Sequence, residues 1–559
     1  MLTLQGIGTQ TGIGDGPLYI YISPDQTPQP VAVDDPAAEA RRAAAALDKA
    51  RQDLTALHAQ ALANGVSEAD AEPFDVEQGL LADADFTEAV QNAVLQHGLC
   101  AEYAVYSTGR AFSTQLRALD DPWLRQRGHQ MREAADRVLQ ILRGDTQDVL
   151  KDVTARVVLA ADLLQPAQTM RLDRSKVCAF VMREGGPSSH CAILMRALGI
   201  PTVTGLGEDF AKLENGRRTM VDGTAGLVVQ EPDTQTMSEL AGRMFAQVRA
   251  ERSQQMLRGT PAITQNGVHI TLSANIALPA QAKDAIAQDA EGIGLFRSEL
   301  LYLRRDRYAD EETLYEAYRE ALLMMGGRRV VVRTLDAGCS KDQLCPEHVR
   351  EANPALGERS VPLALRRPYL LMPQLRALLR ASAYGNLAVV LPMVVRADEI
   401  RAVKERMDEA RAQLKREGRM MAAHVPVGAM VETPAAAVTA DLLCAEAEFL
   451  CIGTNDLTQY VLVADRRSPA AAAVYDQKDP AVLRLVSQAV HAAHAARVPV
   501  SVCGECASDP ALAGFFAALA VDELSMAPVA ILPMKQAIRR QTAESCRTAL
   551  RAALGLAKD

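Results

Sequence analysis

The chain has 559 residues, too many for one ordinary hydrophobic core, so two to four domains are expected. Its hydrophobic content of 48% with 23% charged residues is that of a folded globular protein, and a net charge of -9 argues against a general binder of nucleic acid or anionic membranes. No apolar run reaches the roughly 18 residues needed to cross a bilayer. Met1 to Gly16 lacks the basic flank and apolar stretch of a secretory signal. The ten cysteines are too scattered for a disulfide framework, so reduced thiols and a cytoplasmic setting are the expectation.

Residues 1–20 hold two short apolar runs broken by glycines, read as strands joined by a tight turn; their spacing does not fit a dinucleotide loop. From 36 to 143 the pattern turns helical. Pro36 opens a helix whose face carries Leu47, Leu54, Leu57 and Ala61, stopped at Asn64-Gly65. Leu80, Leu81, Phe86, Val90 and Val94 mark a second helix, residues 101–118 a third, and Pro122 opens a fourth. Strand-like runs return at 155–159, 177–182 and 227–229, and a polar helix over 233–257 reads as a linker.

Beyond 262 the chain alternates strands and helices. Apolar runs fall at 271–276, 292–298, 330–336, 387–395, 426–432, 449–456, 498–504 and 523–528. Eight such units fit an α/β (β/α)₈ barrel of about 250 residues, with a doubly wound open sheet as the alternative. In such a barrel the chemistry collects at the C-terminal ends of the strands. Arg297 closes the second run, Arg333 and Asp336 the third, Glu432 the fifth, Asn455 and Asp456 the sixth and Cys503 the seventh, with Arg466 ten residues beyond Asp456. Several arginines at one mouth suit a ligand with more than one anionic group. Glu432 and Asp456 offer two carboxylates to a Mg²⁺ that also takes substrate oxygens. Cys503 can protonate a developing carbanion. The Cys503-Gly-Glu-Cys506 spacing also suggests that oxidation could pair these two thiols.

A second constellation is GGPSSHCAILMR, Gly185 to Arg196. Its glycines permit close backbone approach, Ser188 and Ser189 flank His190, and a helix begins there, so a charge on His190 faces helix N–H groups. That arrangement favours a phosphorylated imidazole.

These segments resemble enzyme I of the bacterial phosphotransferase system, within the PEP-utilising enzymes. GGPSSHCAILMRALGIPTVTG is similar to that family's phosphohistidine signature. GIGLFRSELLYLRRDR, VRTLD, ANPALG, MVETPAAA, IGTNDLTQYVLVADR and VCGE are similar to its phosphoenolpyruvate-domain motifs, in the same order. LLADADF and LDDPWLRQR resemble its helical insert that docks the carrier protein HPr.

The resemblance implies a multidomain α/β chain: a swivelling phosphohistidine domain (1–20 plus 145–230), a helical HPr-docking subdomain (30–143), a linker helix (231–261) and a phosphoenolpyruvate-binding, dimerising barrel (262–559). It implies that His190 is phosphorylated through Nε2. It further implies that Arg297, Arg333, Asn455, Asp456 and Arg466 bind phosphoenolpyruvate, that Glu432 and Asp456 hold Mg²⁺, and that Cys503 protonates the enolate to pyruvate. The phosphoryl group would then pass to a histidine of HPr, the first step of sugar phosphotransfer. The chain departs from the pattern at Cys339, Ser340, Glu358 and Pro362, and carries Glu77 where histidine is common. These departures motivate an alternative: a specialised or weakly active paralogue with a dedicated HPr-like acceptor or a regulatory role.

Overall fold

A computed structural model of the chain divides into two units, Met1–Ala250 and Glu251–Asp559. It describes all residues except 23–26, 64–67, 119–121, 145–152, 154, 163, 165–174, 186–190, 193–194, 197–198, 304–309, 339–352, 354, 466–470, 472–473 and 557–559.

The first unit contains strands β1 (Leu2–Gln5), β2 (Ile7–Gln10), β3 (Ile13–Tyr21), β4 (Val157–Ala161), β5 (Val177–Met182), β6 (Thr202–Thr204), β7 (Arg218–Asp222) and β8 (Leu227–Gln230). They form one mixed sheet in the order β1-β8-β7-β3-β4-β5-β6-β2, parallel from β3 to β6 and antiparallel elsewhere. Val157, Leu159 and Ala161 enter one core while Val158 and Ala160 enter another. With both faces covered, β4 reads as an unbroken apolar run rather than an alternating one.

Between β3 and β4 lie helices Pro36–Ala63, Glu68–Ala82, Ala84–Leu95, Ala101–Arg117 and Pro122–Arg143. The single helix expected around Leu80–Val94 is two. Asp83 leaves the helical conformation and its carboxylate accepts from the Phe86 amide at 3.2 Å, an N-cap that starts a new helix. Helices 101–117 and 122–143 pack tightly because Gly109 faces Ala135; a Cβ on Gly109 would lie 2.4 Å from that of Ala135. Glu77 is fully buried, 3.6 Å from Arg137, so it is an internal ion-pair member rather than a surface group. The polar helix after β8 spans Thr234–Gln255. Among the described residues no helix is long and apolar enough to cross a membrane.

The second unit is built on β9 (Thr271–Ile276), β10 (Ile293–Arg297), β11 (Val330–Arg333), β12 (Leu387–Leu391), β13 (Val427–Val431), β14 (Leu450–Ile452), β15 (Val500–Val502) and β16 (Glu523–Met526). All pairings are parallel and β16 returns to β9, so the sheet is a closed barrel and not an open one. Leu295, Val331, Val390, Met430, Phe449 and Cys451 fill the interior. A larger apolar layer seals the strands against the surrounding helices.

The N-terminal mouth of the barrel holds a cavity of about 210 Å³ bordered by Ser273, Arg329, Phe449, Asp522 and Glu523. The Arg329 guanidinium stacks over the Phe449 ring at 4.5 Å and lies 3.6 Å from Glu523. Burial holds Glu523 above the ordinary carboxylate range, although a Ser273 hydrogen bond and the Arg329 charge oppose it. A carboxyl raised in the folded state weakens the fold as pH climbs from its ordinary value through its raised one. Glu523→Gln should therefore stabilise the fold relative to the parent more near pH 8 than near pH 4, read by calorimetric unfolding at the two pH values. Equal effects at both would refute the assignment.

Candidate active site at the C-terminal mouth of the barrel

The opposite mouth gathers charge. Arg297 and Arg333 end adjacent strands and are direct register partners, so two guanidiniums start side by side. Arg333 Nε donates to Glu299 at 2.9 Å and its terminal nitrogen lies 3.2 Å from Asp336. Asp336 also accepts from Arg359 at 2.8 Å and from the Ser360 hydroxyl. Burial works against charge on each of these groups. At Arg333 it is outweighed by Glu299, Asp336 and Glu432, which hold the guanidinium well above its ordinary value. At Asp336 it is outweighed by Arg333, Arg359 and the Ser360 hydrogen bond, which keep the carboxyl well below its usual range. Glu299 behaves differently. Its burial, with Asp336 nearby, raises it despite the Arg333 ion pair, so Asp336 is the firmer countercharge. Arg297 is half-buried and makes no ion pair among the described residues.

Next to this cluster stand the carboxylates. Glu432 follows β13, is 1% exposed and accepts from the Met393 amide at 2.7 Å. Gly453 lets the end of β14 approach it; a Cβ there would sit 2.9 Å from Glu432 Oε2. Burial first, then the charges of Asp456 and Asp336, push Glu432 up to about 8. Asn455 and Asp456 do not end a strand as expected. β14 stops at Ile452, and both lie in the first turn of helix Thr454–Leu462, where Asp456 is buried. The side-chain oxygen of Asn455 accepts from the Glu505 amide at 2.8 Å and so pins the loop after β15.

Cys503 sits one residue past β15, its Sγ 2.9 Å from that of Cys451 on β14. That hydrogen bond, then burial, holds the Cys503 thiol well above its ordinary value. Cys506 faces away, 3.2 Å from the Gln477 side-chain oxygen. The expected pairing of Cys503 with Cys506 is therefore not the thiol contact that forms.

The mouth thus brings Arg333, Asp336, Glu432 and Asp456 within electrostatic reach of one another, with Cys503 sensing both Glu432 and Arg333. His190, Arg466, Cys339, Ser340 and Lys341 lie outside the described residues. Of the other departures, Glu358 precedes the Arg359–Asp336 pair and Pro362 lies inside the short helix Ser360–Arg366. Sequence reasoning missed Glu299, Cys451 and Asn275. Asn275 donates to the Cys503 carbonyl at 3.0 Å and accepts from the Ser525 hydroxyl at 2.6 Å, linking three strand ends. A lone asparagine inside the apolar run TLSANI was the available signal. Gln374 supports the same region from a helix. Its oxygen accepts from the Leu335 amide at 2.9 Å, and its nitrogen donates to Ser298 at 3.0 Å and to Tyr318 at 2.9 Å.

Comparison with known proteins follows the same division. Residues 5–127 match the N-terminal domain of PEP-utilising enzymes, 153–226 their mobile domain and 251–543 their PEP-binding domain. The phosphoenolpyruvate-protein phosphotransferase of Bacillus sp. strain S is 36% identical, covering 100% of this chain and 96% of that protein. That of Geobacillus stearothermophilus is 36% identical over 97% of this chain and 94% of its own length. That of Bacillus subtilis is 33% identical over 98% and 96%. Similarity of this extent, through all three domains in order, makes the chain a member of the phosphoenolpyruvate-protein phosphotransferase family of PEP-utilising enzymes.

Proposed function

We propose that the protein takes the phosphoryl group of phosphoenolpyruvate onto His190 Nε2, releases pyruvate, and passes the phosphoryl group to a histidine of an HPr-type carrier, the first step of sugar phosphotransfer in the cytoplasm. The observation that carries this reading is the convergence of Arg333 with the buried Glu432, Asp456 and Cys503 at one barrel mouth. The full-length likeness to enzymes named for this reaction supports it.

In this reading Arg297, Arg333 and Arg466 clamp the phosphate and carboxylate of phosphoenolpyruvate, with Asn455 and Asp456 at the edge of the site. A guanidinium already oriented by carboxylates, as Arg333 is by Glu299 and Asp336, loses little entropy in gripping an anion. Phosphoryl transfer breaks the bridging P–O bond and forms a P–N bond to His190, leaving an enolate. Cys503, whose raised thiol keeps its proton at neutral pH, delivers it to the enolate carbon and yields pyruvate. The helical segment 30–143 would dock the carrier, the helix after β8 would act as the hinge for the phosphohistidine domain, and the barrel would carry the dimer contact.

A divalent cation fits the donor set. Glu432 is forced toward its neutral form by burial and by Asp456 beside it, and a cation between two such carboxylates removes that repulsion. Among the described residues no group of three or more metal-binding side chains gathers, so substrate oxygens and water would complete the shell. When bound, Mg²⁺ would neutralise charge on the transferring group.

The direct test uses labelled phosphoenolpyruvate with Mg²⁺. The parent should acquire an acid-labile, base-stable phosphate that His190→Ala lacks, and labelling that persists in His190→Ala would end the proposal. Arg333→Met should lower kcat/KM for pyruvate formation by about 10²–10³, with the loss mostly in kcat. Chelation should abolish labelling, and added Mg²⁺ should restore it. Since Glu432 must lose a proton to bind metal, Mg²⁺ affinity should rise as pH approaches about 8, with proton release in calorimetric titration at neutral pH. Glu432→Gln should weaken binding about tenfold or more and remove the proton release. An unchanged signal would exclude Glu432 as a ligand.

A further inference from the structure

We propose that Cys451 and Cys503 form a site of reversible oxidative modification: a disulfide across β14 and β15 that locks the barrel mouth in an inactive form. The consequence for activity rests on Cys503 being the proton donor; formation of the bond does not.

Three observations support the pair. β14 and β15 are adjacent and parallel, with Cys451 level with Ser501, and the Cys503 amide donates to the Ile452 carbonyl at 3.0 Å. The strands are therefore fixed in register. Both side chains belong to the same interior cluster, so they point at each other rather than to opposite faces. Their sulfurs are 2.9 Å apart. A disulfide bond is about 2.05 Å, so closure needs a shift of less than about 1 Å and no change of register. The rival thiol, Cys506, is turned toward Gln477, 3.3 Å from its carbonyl and 3.2 Å from its side-chain oxygen.

The two thiols differ in access. Cys503 is 3% exposed at the end of its strand, and Cys451 is 0% exposed deeper in the barrel. Cys503 is thus the first to meet a hydroperoxide. Its sulfur attacks one peroxide oxygen, the O–O bond breaks, and the thiol proton leaves with the departing oxygen as water, giving a sulfenic acid. The Cys451 sulfur then attacks the sulfenyl sulfur, the S–S bond forms, the S–O bond breaks, and the Cys451 proton leaves with that oxygen as a second water. Two thiols lose two electrons and one hydrogen peroxide becomes two waters. A small dithiol reverses the reaction by exchange. Burial makes the first step slow, because a shielded thiol is seldom ionised.

The test treats the full-length protein with hydrogen peroxide and digests it without reduction. A linked peptide pair containing Cys451 and Cys503, lighter by two hydrogens, should appear by mass spectrometry. Pyruvate formation should fall by about 10² or more and return with dithiothreitol. Cys506→Ser should behave like the parent. Cys451→Ser, which keeps a hydrogen-bonding group beside Cys503, should give no linked pair; excess peroxide should then carry its Cys503 sulfenic acid on to the sulfinic acid, a loss of activity that dithiothreitol does not reverse. A link to Cys506, or irreversible oxidation of Cys503 in the parent with no link to Cys451, would overturn the site. A Cys451–Cys503 link that leaves activity untouched would confirm the site and remove Cys503 from the chemistry.

Discussion

Asp336 serves two guanidiniums at once. Arg333 and Arg359 both reach its carboxylate, and the Ser360 hydroxyl adds a further donor. Without that acid, two cations would stand close together beside Arg297 with only Glu299, itself pushed toward its neutral form, to balance them. With it, the forks are aimed and charged before any ligand arrives. The cluster also sets the balance on its neighbours. Glu432 feels Arg333 as support and Asp336 and Asp456 as opposition, and the opposition combined with burial prevails. The mouth therefore sets fixed positive charge beside an acid, Glu432, that burial and its acidic neighbours push toward its neutral form.

Proton economy follows from the same dryness. In the proposed reaction Cys503 must still carry its proton when the enolate forms, and a thiol near its ordinary value would be partly ionised as pH rises. Sunk against Cys451 it holds its proton until a stronger base appears. Asn275 fixes the backbone there by capturing the Cys503 carbonyl. Loss of water around the thiol thus keeps it protonated, while hydrogen bonds to its backbone amide and carbonyl carry its positioning.

Much of this was legible in the chain. The barrel strands are buried on both faces, so each appears as a short apolar run, and a charged residue at the end of a run marks the mouth. Arg297, Arg333, Glu432 and Cys503 could be found that way. Asn455 and Asp456 were located but misplaced by element, because the apolar run continues smoothly from β14 into the following helix turn. β7 was missed because its sequence, RTMVD, is short and polar at both ends; its pairing with β3 and β8 supplies what local pattern lacks. The helix break at Asp83 was missed because apolar spacing runs on across it while the capping carboxylate redirects the backbone. Contacts between strands, such as Cys451 with Cys503, have no local signature at all.

Gln374 has consequences for divergence. Its amide uses its oxygen to receive one backbone donor and its nitrogen to satisfy two hydroxyls, all away from water. Glutamate has the same outline but no N–H to offer, and leucine has neither polar end. A position that looks freely interchangeable by size is thus chemically single-valued. Either replacement strands at least one of these three partners in the interior, where no water can take its place.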